Sequence, residues 1–135
     1  MIRRTLMTSV ALLLSTTAVF AAEWTPAAWA TQKTLQFRAD CPDEGEYWSY
    51  VWLVVLDNDV YVRLGTRSAG RVDCSRSKPM TAVRIDGETF DNVEMIPSPA
   101  MTERVAAAMS AKYPTDLFLR YLNHPYTMKL VAKGR

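Results

Sequence analysis

The chain reads as mainly β with added α (α+β): a six-stranded antiparallel barrel carrying two inserted helices near its C-terminus. Three observations lead there. Runs of β-branched and aromatic residues alternate with polar ones and are cut by short turn signals, the pattern of hairpin strands. Two of those turns, Asp57-Asn58-Asp59 and Asp86-Gly87, are short enough to join antiparallel neighbours directly. Helical periodicity appears only late, after Ser98, which fits a decorated barrel better than parallel βαβ units.

Each element has its own warrant. Glu23 to Gln32 is a lead-in, read as a short helix that packs Trp24 and Trp29 onto the body. Thr34-Leu35-Gln36-Phe37-Arg38 alternates polar and apolar and is the first strand; Cys41 to Glu46 is an acidic turn. Ser49 to Leu56 is the strongest strand of the chain, and Val60-Tyr61-Val62-Arg63-Leu64 returns from it as a hairpin. Thr66 to Pro79 has no apolar periodicity and reads as a loop with room for one helical turn. Met80 to Ile85 and Thr89 to Ile96 make the next hairpin. Ser98 is then an N-cap with Pro99 at the first helical position, and Met101, Val105, Ala108, Met109 and Lys112 form one stripe that Pro114 ends. Thr115 caps a shorter second helix running to Leu122, Asn123-His124-Pro125 breaks it, and Tyr126 to Ala132 is the sixth strand.

The N-terminus carries an address. Arg3 and Arg4 precede an uncharged run from Leu6 to Phe20, and Val19-Phe20-Ala21 is an acceptable cleavage triplet. Residues 1–21 are therefore expected to be a cleavable export signal, 22–32 the lead-in and 33–135 the barrel domain, in a periplasmic or secreted protein. The apolar run is shorter than the roughly 20 residues that span a bilayer, so no stable membrane insertion is expected after cleavage. Both general secretion and a twin-arginine route for folded cargo fit Arg3-Arg4. Cys41 and Cys74 are the only cysteines. With no C-x-x-C and one histidine, a structural disulfide is preferred over a redox or metal pair.

Composition narrows the function classes. The 135 residues are 49% hydrophobic and 22% charged, which suits one globular domain and excludes a disordered tail or a multidomain enzyme. Removing Arg3 and Arg4 from the 16 basic residues leaves 14, matched by 14 acidic ones. A balanced chain has no general attraction for nucleic acid or anionic lipid. No Ser-His-Asp, H-E-x-x-H, P-loop or dinucleotide fingerprint occurs. The acidic turn matches no calcium loop, no metal site is expected, and His124 reads as a loop residue.

One stretch departs from that balance. Arg63, Arg67, Arg71, Arg76, Lys78 and Arg84 begin at a strand end and continue through a segment holding Gly65, Thr66, Ser68 and Gly70. Guanidinium forks, hydroxyls and accessible backbone N–H groups are what a phosphate or carboxylate requires. A solvated loop with rim salt bridges is the equal alternative. Trp48, Tyr50 and Trp52 share a strand face, as a flat ligand needs, although packing into the core or a dimer interface is the plainer expectation.

The run Trp52-Leu53-Val54-Val55-Leu56-Asp57-Asn58-Asp59-Val60-Tyr61-Val62-Arg63 resembles the central hairpin of the flavin-binding split-barrel superfamily. That superfamily includes pyridoxamine-phosphate-oxidase-like and deazaflavin-dependent nitroreductase-like proteins. Lys112-Tyr113-Pro114 and the strand Tyr126-Thr127-Met128-Lys129-Leu130 look similar too, so the resemblance spans roughly residues 33–133. It implies a six-stranded split barrel, often a homodimer, with FMN or a related flavin in a groove. Carried over, the cofactor-binding positions are Arg63, Thr66, Arg67, Ser68 and Arg71, with Trp52 beside them. Gly70 stands near where flavin-binding members commonly carry a lysine. The implied activity is that of a flavin-dependent oxidoreductase; the alternative is a non-enzymatic binding or accessory domain that keeps barrel and disulfide without the cofactor, its basic loop taking a small anionic ligand.

Overall fold

Two tight turns fix the pairing of four strands. Asp57 and Asn58 both adopt positive φ (51° and 62°), as do Asp86 and Gly87 (51° and 76°). That geometry matches the right-handed twist of the flanking strands and so favours two-residue hairpins. A computed structural model describes residues 10–14, 22–116 and 124–134. Most of the proposed signal, and all but the start of the expected 115–122 helix, lie outside them.

The strands, in chain order, are β1 (Leu35–Cys41), β2 (Gly45–Val51), β3 (Leu53–Leu56), β4 (Asp59–Leu64), β5 (Met80–Ile85), β6 (Glu88–Pro97) and β7 (Tyr126–Ala132). Helix α1 covers Thr66–Cys74 and α2 covers Thr102–Lys112. All seven strands form one antiparallel sheet in the order β2-β1-β5-β6-β7-β4-β3. There are thus seven strands where six were expected, and the difference has one cause. The apolar run from Ser49 to Leu56 is broken at Trp52. Its first part pairs with β1 from Leu35↔Val51 to Cys41↔Gly45, and its second pairs with β4 from Leu53↔Val62 to Leu56↔Asp59. β2 and β3 are the two edges of the sheet yet follow each other in the chain. The sheet therefore curls until its edges meet at one residue, a bend of the kind that turns barrel corners.

Alternation buries one face. In β1, Leu35, Phe37, Ala39 and Cys41 are buried and the residues between them are half-exposed. Leu35, Phe37 and Ala39, together with Leu53, Val60, Val62, Leu64, Val83, Ile85, Val93 and Leu130, build the barrel core. The lead-in is a single 3-10 turn at Pro26–Trp29 and not a longer helix. Trp29 is buried, and Trp24, Trp29 and Phe90 meet edge-to-face at 4.8–5.4 Å, sealing one end of the barrel. Ser98 makes no capping bond; a 3-10 turn at Pro99–Met101 precedes α2. Val105 and Met109 of α2 are fully buried and pack with Val54 and Tyr61 on the outer face of the β3–β4 hairpin.

The largest correction concerns residues 66–79. A loop was expected, but most of the segment is α1. Only Ala69 is buried in it, with Val72 one turn later half-buried, so the apolar signature spans a single turn and Gly70 interrupts it. Cys74 closes α1 and is disulfide-bonded to Cys41 at the end of β1, with Cα atoms 5.2 Å apart.

Candidate functional site

A groove of about 240 Å³ opens where β4 hands over to α1. Its walls include Tyr50, Trp52, Arg63, Gly65, Ser68 and His124. The local chain explains the shape. Gly65 is extended (φ −72°, ψ 175°) and serves as N-cap without a side chain to close the helix start. The first helical bond is from the Ala69 N–H to the Gly65 carbonyl, 2.9 Å. The N–H groups of Thr66, Arg67 and Ser68 are consequently left without intrahelical partners, and the helix dipole adds partial positive charge there. Thr66 and Arg67 are exposed and Ser68 half-buried.

The floor beside this helix start is electrostatically finished. Arg63 Nη2 donates to Asp116 Oδ1 at 2.5 Å, and their side chains are 8% and 0% exposed. Ser110 Oγ donates to the other carboxylate oxygen at 2.6 Å. Burial works against the charged carboxylate, but the hydrogen bonds from Ser110 and Arg63 and the nearby charges of Arg63 and His124 outweigh it, holding Asp116 below the usual aspartate range. Arg63 is therefore a fixed, half-neutralised wall of the groove.

On the other wall, the Trp52 ring stacks flat on Tyr113, 4.2 Å between centroids and 3° between planes. The Tyr113 hydroxyl accepts from the Leu53 N–H (3.1 Å) and lies 2.7 Å from the Leu53 carbonyl and 2.8 Å from that of Lys33. Burial pushes its pKa up. Lys112 Nζ also donates to the Leu53 carbonyl at 2.9 Å; its pKa is lowered, first by burial and then by Lys33.

Of the residues expected to bind a cofactor, the structure brings together Trp52, Arg63 and Ser68 in the groove; Thr66 and Arg67 are exposed on the first turn of α1 and do not line it. Arg71 is elsewhere. It donates to Glu44 (3.1 Å) and Ser49 (3.2 Å) and covers the Tyr47 ring at 3.8 Å. The rest of the basic stretch is likewise dispersed: Arg76 pairs with Asp40 at 3.2 Å, Lys78 bonds the Asp73 carbonyl, and Arg84 lies 3.6 Å over the Trp48 ring. Among the described residues Arg67 alone of the six makes no ion pair, hydrogen bond or ring contact. The aromatic run is not core either. Trp48 and Tyr50 face outward, Tyr50 at 71% exposure, and Trp52 sits at the bend. Sequence reasoning missed Asp116, Tyr113 and the groove-facing place of His124. Lys112-Tyr113-Pro114 was the only pointer to any of them. Among the described residues no cluster of His, Cys, Asp or Glu is arranged to hold a metal ion, and no helix is long and apolar enough to cross a membrane.

The curled sheet joined at Trp52, with one helix after β4 and another before β7, makes the domain a split-barrel-like protein with a groove sized for a small ligand. Two solved structures share that fold. HutZ of Vibrio cholerae, described as a heme storage protein, matches with a TM-score of 0.57 and 17% identity over 81% of this chain and 88% of its own. The conserved hypothetical protein Rv2991 of Mycobacterium tuberculosis matches with 0.57 and 17% over 80% of this chain and 78% of its own. No protein-family model and no curated protein matches the sequence.

Proposed function

We propose that this is an exported split-barrel protein that binds a flavin-type cofactor, FMN or a close relative, in the groove at the start of α1 and takes part in redox chemistry. The observation that carries the reading is the open start of α1, where three backbone N–H groups lack helical partners and Gly65 and Ser68 line the groove with Trp52 and Arg63; the exposed Thr66 hydroxyl and unengaged Arg67 guanidinium stand on the same first turn. That donor set fits a phosphate: it offers neutral and charged donors at a helix start, with no carboxylate free to repel the anion. Arg63, held by Asp116, would set the depth of the groove. A bound flavin would supply the hydride-transfer chemistry, while the protein's part is anchoring, orientation and exclusion of water. An oxidoreductase of this kind would operate outside the cytoplasm, and a homodimer would enclose the exposed side of the groove near Tyr50.

A second reading has its own support. Five of the six basic side chains in the 63–84 stretch have partners within the chain, Arg76, Lys78 and Arg84 at the surface, which leaves few free cations for a cofactor phosphate and suits a non-enzymatic binding or accessory domain for a small anionic ligand. The visible absorption spectrum separates the two. Protein taken from its native compartment, or mixed with FMN, is expected to show flavin bands that co-elute with it and to lose at least about tenfold in affinity on Arg67→Ala plus Ser68→Ala, two lost phosphate contacts. A colourless protein that ignores added FMN would overturn the flavin reading and leave the accessory domain.

A further inference from the structure

A second cavity lies at the C-terminal end of α1, lined there by Val72 and Asp73, and shares no lining residue with the groove. It measures about 310 Å³ and enters the barrel between β1, β5, β6 and β7. It is open to solvent on one side and has room for on the order of ten waters at liquid density. Its wall is mostly carbon, from Phe37, Val72, Met80, Met95 and Met128. An apolar chamber of this size gives water few partners, so it favours an organic guest. Three of the five described methionines line it, and unbranched thioethers adapt to irregular guests.

The polar groups lie at the rim, Asp73 and Ser77 among them. Asp73 Oδ1 accepts from the Tyr126 hydroxyl at 2.8 Å, and no hydrogen bond is made to its other oxygen among the described residues. Ser77 Oγ lies 2.8 Å from Ser75 Oγ, which already accepts from the Asp40 N–H at 2.9 Å. Arg38 also lines the cavity, its carbonyl accepting from the Thr81 hydroxyl, and the Lys78 ammonium is turned onto the Asp73 carbonyl. The 75–79 turn that roofs the chamber is anchored at one end by the Cys41–Cys74 disulfide and hydrogen-bonded to β1 through Arg76 N–H to the Asp40 carbonyl, 2.9 Å.

We infer that this chamber is a ligand site for a small uncharged apolar molecule, of about two fused rings in size, with one hydrogen-bond-donating hydroxyl or amine that meets Asp73 at the rim. The size follows from a volume at the low end of ligand pockets, roughly 300–1,000 Å³. The donor end follows from the spare carboxylate oxygen. The site shares no lining residue with the groove proposed for a flavin.

The probe is N-phenylnaphthylamine, an apolar fluorophore with one N–H. Added to the full mature protein, it is expected to give a saturable one-to-one rise in emission that FMN does not displace. In a methyl NMR spectrum the Met80, Met95 and Met128 signals should move while Met101 and Met109 stay. Val72→Trp, which fills the chamber from α1, should weaken binding about tenfold or more, and Asp73→Asn should weaken it several-fold with the fold unchanged. No saturable rise, methyl shifts absent from those three residues, or undiminished binding by folded Val72→Trp would each overturn the site. Should Val72→Trp fail to fold, the methyl pattern of the unsubstituted protein decides.

Discussion

Asp116 is the residue on which the groove turns. A fully buried carboxylate is tolerated only when its charge is answered, and here Arg63 and Ser110 answer it from two elements. Asp116→Ala should leave the Arg63 guanidinium almost buried without a counter-charge and cost about 3–5 kcal/mol in urea unfolding. The same pair carries a pH dependence. The folded-state pKa of Asp116 is depressed, so its stabilisation is present above the unfolded value near 4 and is lost as pH falls toward the folded one. Unfolding free energy followed from pH 5 downward should therefore fall less steeply in Asp116→Asn than in the unsubstituted protein. None of this was visible in the sequence. Asp116 lies in Pro-Thr-Asp after a predicted helix, and 53 positions separate it from Arg63.

Among the elements, the bend between β2 and β3 and the helix α1 matter most. Trp52 leaves the ladder, and the Leu53 N–H next to it finds its partner in Tyr113 at the end of α2, whose ring then covers Trp52. Tyr113→Phe keeps the stack and removes that partner. It should cost about 1–3 kcal/mol, the penalty for a buried donor left unmade, and the loss should appear as faster amide exchange at Leu53. For α1 the tether is covalent. Removing it in Cys41→Ala plus Cys74→Ala frees a chain of 33 residues' separation and should lower stability by roughly 3–4 kcal/mol on the chain-entropy model. The hairpin at Asp57-Asn58 and its partner at Asp86-Gly87 were legible because turn chemistry is local. The bend at Trp52 was not. An uninterrupted β-branched and aromatic run from Ser49 to Leu56 looks the same whether it pairs with one neighbour or with two in succession.

The whole chain combines a barrel closed at one residue, one disulfide and an N-terminal segment with the composition of an export signal. If that segment is removed as its residues predict, intact-mass measurement on protein from the native compartment should show a chain starting at Ala22 with two protons lost to the Cys41–Cys74 bond. A mass corresponding to retained Met1, or to free thiols, would place the protein in a different compartment from the one proposed. With that segment removed the chain would have equal numbers of acidic and basic groups, so ionic strength should change the affinity for the proposed ligand only through the helix start and Arg67.

Local rules accounted for the β class, the two tight hairpins, the stripe of α2 and the pairing of the cysteines, because turn preference, alternation and thiol chemistry act over a few residues or have no competitors. The resemblance to split barrels placed Arg63, Ser68 and Trp52 near one another before their contacts were known. Folding settled the rest. It dispersed a basic stretch that is contiguous in sequence, sending Arg63 to Asp116, Arg71 to Glu44 and Arg84 onto Trp48, because each guanidinium goes to the acceptor or ring nearest in space. It made a helix of a segment whose apolar signature is one turn long, and it opened one cavity at the start of that helix and another at its end. Those outcomes depend on contacts between residues tens of positions apart, and only the curled sheet brings them within reach.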